Sequence, residues 1–267
     1  MLLCDLPINN KVKVGNYWHP AKDVATVCSK SVRRLVMKAV GCENYWGMRG
    51  SVTLVDWHGQ CFGLFTRHQI KDVKFDNLPE SFSENFMVPS LQPKFKNLSI
   101  TSLRFPSSGA DEEYYDIVTF LLNHKDKDVI REKPYFSRFL LGQKVTEGSW
   151  FYVGYPNLGE SLVYLGESLV YSDEGDRVVE FKQSVLLRNC VPEEGYSGPK
   201  YLKRFSHETP QHLVDGLSGG AIFCLTKTQE GYEVALDSII TRANGNFMYG
   251  INSNFLDVLM RDQNKSD

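Results

Sequence analysis

The chain has 267 residues, 42% of them hydrophobic, so it can bury one large core or two smaller ones. Its 30 basic and 32 acidic side chains give a formal net charge of -2, so the overall charge makes no case for binding to nucleic acid. No apolar stretch reaches the roughly 20 residues that span a bilayer, and the N-terminus lacks a signal-peptide pattern. We therefore expect a cytoplasmic protein with neither a membrane nor nucleic acid as a partner.

The N-terminal region is predicted to be irregular over residues 1–19 and helical over residues 20–39. Pro20 suits the first helical position and Gly41 suits the stop, and the residues between them recur at helical spacing. The apolar members of this pattern are Val24, Val27, Cys28, Val32, Leu35, Val36 and Ala39. We interpret residues 1–45 as an N-terminal helical extension that offers a place for a regulatory partner.

The same predicted helix carries mostly basic charges, with Asp23 as its only acid. Its basic residues are Lys22, Lys30, Arg33, Arg34 and Lys38. We interpret these charges as a solvated face of a helix that packs on the main body. An alternative is contact with a phosphate backbone or an acidic partner, which a salt-dependent binding slope would reveal.

From Gly50 onward the sequence consists mainly of short strand-like runs. The stretch "SVTLVDWHGQCFGLFTRHQI" reads as strand, turn and strand, with the turn at His58 and Gly59. The stretch over residues 126–145 is interpreted as a linker because of the charged residues in its first half, and it separates two groups of such runs. The tail "NFLDVLMRDQ" has helical spacing. The predicted fold is dominated by β-structure: two antiparallel β-barrels with the N-terminal helical extension and a short C-terminal helix. The barrels are assigned to residues 46–125 and 146–267.

Two further sequence features carry less information. The motif "GESLVY" occurs at 159–164 and again at 166–171, which we interpret as a local duplication within a hairpin.

Six cysteines and six histidines show no metal-ligand spacing, so no metal and no organic cofactor is expected. The cysteines are predicted to be reduced, buried thiols; they are Cys4, Cys28, Cys42, Cys61, Cys190 and Cys224.

Three polar residues stand where apolar ones are expected. His68 ends a strand, Asp116 precedes the run "IVTFLL", and Ser218 lies in "GLSGG". A neutral imidazole can take a serine proton, and a carboxylate on its other nitrogen fixes the tautomer and stabilises the imidazolium. Glycines beside the serine let backbone amides point at a developing oxyanion.

Each of the three residues has an alternative. Ser218 would also suit a simple turn, and His68 a strand end bonded to a backbone carbonyl. His58 competes with His68 but is interpreted as a surface residue of the turn. The acidic rivals of Asp116 lie in what we interpret as a solvated loop; they are Asp111, Glu112 and Glu113.

The ordered set resembles the chymotrypsin/trypsin-like serine protease superfamily in its intracellular, disulfide-free form. "FGLFTRHQI" is similar to the strand that ends in the base histidine, "DIVTFLL" to the aspartate before an apolar strand, and "GLSGGAIF" to the serine block. The likeness spans about residues 46–260. It implies that His68 is the general base, Asp116 the orienting carboxylate and Ser218 the nucleophile of a serine endopeptidase.

The same resemblance assigns the surroundings of the serine. The backbone amides of Gly216 and Ser218 would form the oxyanion hole. The strand Thr241, Arg242 and Ala243 would pair with a protein or peptide substrate. The primary specificity pocket would lie near this strand and His212, although His212 would also suit a plain loop.

The chain departs from the family in three respects. Leu217 replaces the aspartate that pairs with a newly cut N-terminus in secreted members, so that form of activation is not expected. No cysteine closely follows His68, so the family's neighbouring disulfide is missing. The residue after His68 is Gln69, where the family commonly has cysteine or valine.

The alternative function is a catalytically silent protease-like fold that binds peptides or a partner.

Overall fold

The computed structural model describes most of the two strand-rich regions of the chain. The described residues are 6, 10–38, 46–70, 82, 86–89, 98–105, 116–123, 145, 148–157, 169–171, 177–179 and 185–264. The predicted linker falls almost wholly outside them, as do the first copy of the repeated motif and two of the six cysteines.

The described residues form short strands and two α-helices. The strands are β1 (Lys11–Val14), β2 (Tyr17–Pro20), β3 (Val32–Lys38), β4 (Trp46–Trp57), β5 (Gln60–Thr66), β6 (Phe86–Met87), β7 (Ile100–Arg104), β8 (Ile117–Leu122), β9 (Gly148–Gly154), β10 (Leu169–Tyr171), β11 (Arg177–Val179), β12 (Leu186–Pro192), β13 (Leu202–Ser206), β14 (Ala221–Thr228), β15 (Gly231–Ala243) and β16 (Phe247–Asn252). The helices are α1 (Val24–Ser29) and α2 (Ser253–Asn264).

The C-terminal strands form a closed barrel. They pair in the order β14-β9-β12-β13-β16-β15, and β14 also pairs with β15, which closes a ring of six antiparallel strands. Bulges at Ile222/Phe223 and Ile240/Arg242 bend the strands, as closure of a small barrel requires. The interior is apolar; among its fully buried side chains are Phe151, Phe205 and Phe223.

The first group of strands forms a half-barrel in the order β6-β3-β4-β5-β8-β7. Within the described residues this sheet has two free edges, at β6 and β7. Its core is built around four phenylalanine rings that pack on one another; they are Phe65, Phe82, Phe86 and Phe120. The small β1–β2 hairpin belongs to the other sheet, because β1 runs parallel to the start of β15.

The predicted fold class is confirmed: β-structure dominates, two barrel-like sheets carry the chain, and a short helix ends it. Helix α2 buries Leu256 and Met260, which are four residues apart and lie on one face. Trp57 of β4 donates its indole N–H to Asp257 of α2 over 3.0 Å, so the C-terminal helix also contacts the half-barrel. The domain boundaries given above stay predictions.

The predicted helix over residues 20–39 is wrong in its second half. Helix α1 covers only Val24–Ser29, a turn follows at Lys30 and Ser31, and Val32–Lys38 is strand β3 between β4 and β6. The spacing of the apolar residues fits a helix, but pairing on both edges buries the segment more completely, and β-branched Val32 and Val36 suit a strand. Tertiary pairing therefore overrides the local pattern.

The basic face predicted for that helix is corrected as well. Arg33 and Arg34 are each only 4% exposed, because they lie in β3 opposite Val52 and Ser51. The guanidinium of Arg34 stacks 5.2 Å from the centre of the Tyr155 ring, and burial lowers its pKa. These two charges belong to the packed interior and not to a solvated surface.

Two smaller expectations have clear outcomes. Residues 1–19 are not uniformly irregular, since β1 and most of β2 lie within them. Three cysteines are free, buried thiols as predicted (Cys28, Cys190 and Cys224), and Cys61 is buried too.

None of the helices among the described residues is long and apolar enough to cross a membrane. Of the repeated motif, only residues 169–171 are described, in β10, which pairs with β11.

Candidate active site

Strand pairing brings His68 and Asp116 together. Strands β5 and β8 are neighbours with Thr66 opposite Ile117, so the end of β5 meets the start of β8. His68 follows β5 in a short 3-10 turn, Arg67–Ile70, and Asp116 immediately precedes β8. The backbone N–H of Arg67 donates to the carbonyl of Asp116 over 3.0 Å and extends the pairing by one step.

The carboxylate of Asp116 accepts two hydrogen bonds from His68. Ring atom Nδ1 lies 2.8 Å from Oδ2 and 3.1 Å from Oδ1, and the backbone N–H of His68 donates to Oδ1 over 3.0 Å. These contacts place the proton on Nδ1 and leave Nε2 as the basic nitrogen of the neutral ring. Nε2 lies 3.4 Å from the Thr66 hydroxyl, and the His68 side chain is 42% exposed.

Ser218 lies in a tight turn that only glycines permit. Gly216 and Gly219 flank it with φ of 86° and 81°, a region in which a side chain is strained. A Cβ at Gly219 would lie 1.9 Å from the Ser51 carbonyl oxygen, so the half-barrel approaches this turn at backbone distance. The Ser218 hydroxyl is half-buried and donates to the carbonyl of Thr241 over 3.1 Å.

Some backbone amides of this turn make no hydrogen bond within the part of the chain that the structure describes. Leu217 donates to Val214, Gly219 to Ile240 and Gly220 to Leu217. The N–H groups of Gly216 and Ser218 donate no hydrogen bond to any described residue. Two unused donors at alternate positions can hold one oxygen atom, and these are the two amides that the resemblance assigns to an oxyanion hole.

Hydrogen bonds from strand β4 hold the serine turn against the half-barrel. Ser51 donates its backbone N–H to the Ser218 carbonyl over 2.9 Å and its hydroxyl to the Gly216 carbonyl over 3.0 Å. Thr53 donates its hydroxyl to the Gly219 carbonyl over 2.8 Å. The two side-chain bonds are buried, so little water competes for them. The sequence analysis did not predict a role for Ser51 or Thr53. The signal that could have indicated a close contact is the pair of small residues Gly50 and Ser51 within a strand.

The predicted substrate-binding residues lie beside this turn. Thr241 falls in the bulge of β15, and its carbonyl faces Ser218. Arg242 is exposed, with its guanidinium 4.5 Å from the centre of the Tyr249 ring, and Ala243 is half-buried.

His212 is exposed in another 3-10 turn, Gln211–Leu213. That turn adjoins the end of β15, because a Cβ at Gly245 would lie 2.9 Å from Oε1 of Gln211. His58 is also exposed, in the turn after β4 as predicted.

Leu217, at the position where the resemblance would place an aspartate, is fully buried. It belongs to an apolar cluster with Tyr152, Ile222 and Ile240, and its side chain lies against Gly154. An apolar side chain here anchors the turn by packing and not by an ion pair.

The structure therefore joins His68 to Asp116 and Ser218 to Thr241. The side chains of Ser218 and His68 share no hydrogen bond, although the residue after His68 contacts the Ser218 carbonyl: Gln69 donates to it over 2.9 Å. The sequence pointed to Gln69 only as a departure from the family pattern. Within the described ranges, no group of three or more potential ligands is arranged to hold a metal ion.

Comparisons with known proteins give little further information. A comparison with protein-family models finds no matching family. A comparison with curated protein sequences finds no significant match. The chain is similar to the crystal structure of the protease Anisep from Arthrobacter nicotinovorans, with 12% identity, a TM-score of 0.49, and coverage of 85% of this chain and 91% of that chain. The function is therefore inferred from the chemistry of the site.

Proposed function

We propose that this protein is a serine endopeptidase that cleaves peptide bonds through an acyl-enzyme intermediate, with His68, Asp116 and Ser218 as its triad. The observation that carries the proposal is the hydrogen bond from His68 Nδ1 to the Asp116 carboxylate, which leaves Nε2 as a base. The unused amides of Gly216 and Ser218 support the same chemistry, since they supply an oxyanion hole.

The acylation step follows from these roles. Oγ of Ser218 attacks the scissile carbonyl carbon while its proton passes to Nε2 of His68, and the carbonyl oxygen becomes an oxyanion held by the two amides. The tetrahedral intermediate then breaks the C–N bond, and the amine departs with the proton from Nε2. Because the hydroxyl donates to the Thr241 carbonyl in the free protein, it must first exchange this acceptor for Nε2.

Deacylation repeats the sequence with water. Nε2 of His68 takes a proton from water, the hydroxide attacks the ester, and Ser218 leaves with the proton returned by the imidazolium. Throughout, Asp116 stays ionised and stabilises the charged ring. Each oxyanion donor is worth on the order of a hundredfold to a thousandfold in rate.

The substrate would bind as an added strand along Thr241, Arg242 and Ala243. Arg242 points to solvent and Thr241 is buried, so alternate substrate side chains would face different surroundings. The pocket for the residue before the cleaved bond would lie between this strand and the turn that carries His212, which the Gly245–Gln211 contact brings close together.

A peptide library tests the proposal. The wild-type protein is expected to cleave a subset of peptides internally, and Ser218→Ala and His68→Ala are expected to abolish that cleavage while they keep the wild-type melting temperature. Cleavage that survives Ser218→Ala would overturn the proposal. Binding of peptides without cleavage would favour the catalytically silent alternative.

A further inference from the structure

The side chain of Gln69 joins the histidine turn to the serine turn. Its Oε1 accepts from the backbone N–H of Thr66 over 2.8 Å, and its Nε2 donates to the Ser218 carbonyl over 2.9 Å and to the Ser51 carbonyl over 3.3 Å. Gln69 is 4% exposed, so the amide is buried with both donor hydrogens used. The side chain of Gln69 thus contacts β5 at Thr66, β4 at Ser51, and Ser218 itself.

The orientation of this amide is fixed by its neighbours. A flip would set the NH₂ group against the Thr66 N–H and the oxygen against two carbonyls, which replaces three attractive contacts by repulsive ones. The surrounding backbone also leaves room for it: a Cβ at Gly50 would lie 1.9 Å from Nε2 of Gln69. The amide therefore fills a space that a glycine keeps open.

We propose that Gln69 is a positioning residue, which holds the His68 turn in register with Ser218 across the two sheets. The inference rests on the proposed serine protease function for its kinetic consequence, but the tether itself is independent of activity. Asp116 fixes His68 from the half-barrel side, and Gln69 fixes the same turn against the serine turn. Together they determine where Nε2 lies relative to Oγ of Ser218.

The position of Nε2 matters because proton transfer requires hydrogen-bond distance and alignment. A misplacement of about 1 Å can cost on the order of a hundredfold in rate. The two groups lie on different sheets, so their separation depends on contacts between the sheets. Among the contacts described above, the hydrogen bond from Gln69 to the Ser218 carbonyl is the one that links the residue next to His68 directly to the serine turn.

The experiment compares Gln69→Met with the matched control Trp57→Phe. Methionine keeps the length of the side chain but neither donates nor accepts the three hydrogen bonds. Trp57→Phe removes another buried hydrogen bond of the half-barrel, from the Trp57 indole to Asp257 of helix α2, and Asp257 keeps Arg261 as its partner. Both variants are expected to lose similar thermal stability.

Two readouts separate positioning from stability. The second-order rate of labelling by a fluorophosphonate probe is expected to fall about 10- to 100-fold in Gln69→Met and by no more than about threefold in Trp57→Phe. Hydrogen exchange is expected to quicken in both turns, residues 66–70 and 217–220, in Gln69→Met. In Trp57→Phe exchange in these two turns is expected to match the wild type.

Gln69→Glu provides a test that does not depend on folding of the methionine variant. When the new carboxyl group is protonated, it can still donate to Ser218 and accept from Thr66, whereas the ionised carboxylate would face two carbonyl oxygens. The labelling rate of Gln69→Glu relative to wild type is therefore expected to rise as the pH falls. The two rates are measured at each pH under the same conditions, so any pH dependence of the probe itself is divided out of the ratio.

The outcomes are distinct for the tether and for the protease function. A wild-type labelling rate in Gln69→Met, an equal loss in Trp57→Phe, or a pH-independent ratio in Gln69→Glu would overturn the positioning role. If the wild-type protein does not react with the probe, the proposed function fails, and hydrogen exchange alone decides the tether. Faster exchange confined to the Thr66 amide would then overturn it.

Discussion

The carboxylate of Asp116 binds His68 at two points, the ring nitrogen Nδ1 at 2.8 Å and the backbone N–H at 3.0 Å. This double contact fixes both the position of the histidine and the tautomer of its ring. It arises from the β5–β8 pairing, which continues past Thr66 and Ile117 to the residues that follow and precede them.

Asp116→Asn is expected to reduce the rate of acyl transfer by about a thousandfold to ten thousandfold. The amide oxygen would keep the backbone N–H of His68 as its donor, so the NH₂ group would face Nδ1. The ring would then carry its proton on Nε2 and could not accept one from Ser218. Single-turnover kinetics with an ester substrate measures the loss.

The fold of Asp116→Asn should be unchanged, because the amide is isosteric with the carboxylate. Its melting temperature serves as the control. A variant that folds normally and retains more than about a tenth of the wild-type rate would contradict the assigned role of Asp116.

Gly219→Ala is expected to destabilise the protein strongly, because its Cβ would lie 1.9 Å from the Ser51 carbonyl oxygen. The strain of a positive φ costs about 1–2 kcal/mol, and overpacking between the two sheets adds about 1–3 kcal/mol. Gly59→Ala is the matched control: its φ is 79°, and nothing lies within 4 Å of the added methyl. Urea unfolding should show the larger loss in Gly219→Ala, and equal losses would refute a close contact there.

The buried carboxylate of Asp237 gives a prediction about stability alone. It is 0% exposed and accepts from Lys203 over 2.8 Å and from the indole of Trp150 over 2.8 Å. Lys203→Met leaves this charge without its cation and is expected to cost about 2–4 kcal/mol, less than for a fully buried pair because the lysine is 38% exposed.

The control for that variant is Lys13→Met. Lys13 pairs with exposed Glu230 at 3.8 Å, so its loss should change the free energy of unfolding by less than about 0.5 kcal/mol. Chemical denaturation of both variants gives the comparison. Similar small effects would mean that Asp237 does not need Lys203.

Stability is expected to fall in mild acid through His207. Burial lowers the pKa of His207 below its ordinary value, and nearby backbone groups of Phe247 and Asn244 only partly oppose this. The unfolded ring therefore binds a proton at a higher pH than the folded ring, so stability is full above about pH 6.5 and is lost as the pH falls through the folded pKa.

His207→Asn measures this contribution. Asparagine can still accept from the Thr209 N–H, which donates to the ring over 3.1 Å in the wild type. The loss of melting temperature between about pH 7.5 and about pH 5.5 should be smaller in the variant. Some slope should remain, because burial also lowers the pKa of His19. Identical slopes would show that His207 does not contribute.

Much of the fold could be predicted from alternation and turn residues. The turn at His58 and Gly59, the strand after Ser218 and the C-terminal helix follow from local patterns that tertiary packing reinforces. The segment from Val32 to Lys38 could not be predicted in this way, because its apolar spacing suits a helix as well as a buried strand. Pairing with β4 and β6, distant in sequence, decides between them.

The candidate site could be predicted in part from the sequence. His68, Asp116 and Ser218 stand out because polar residues interrupt apolar runs. Ser51 and Gln69 carry no such signal, since their roles depend on backbone carbonyls that reach them only after the two sheets pack together. Residues whose roles depend on long-range backbone contacts produce no periodic pattern in the sequence.

The central claim is that Ser218 is an activated nucleophile. The most direct measurement is reaction of the wild-type protein with a fluorophosphonate probe, followed by mass spectrometry to locate the adduct. We predict one adduct per chain, on Ser218, and none in His68→Ala. An adduct on another residue, or no adduct on a folded protein, would contradict the claim.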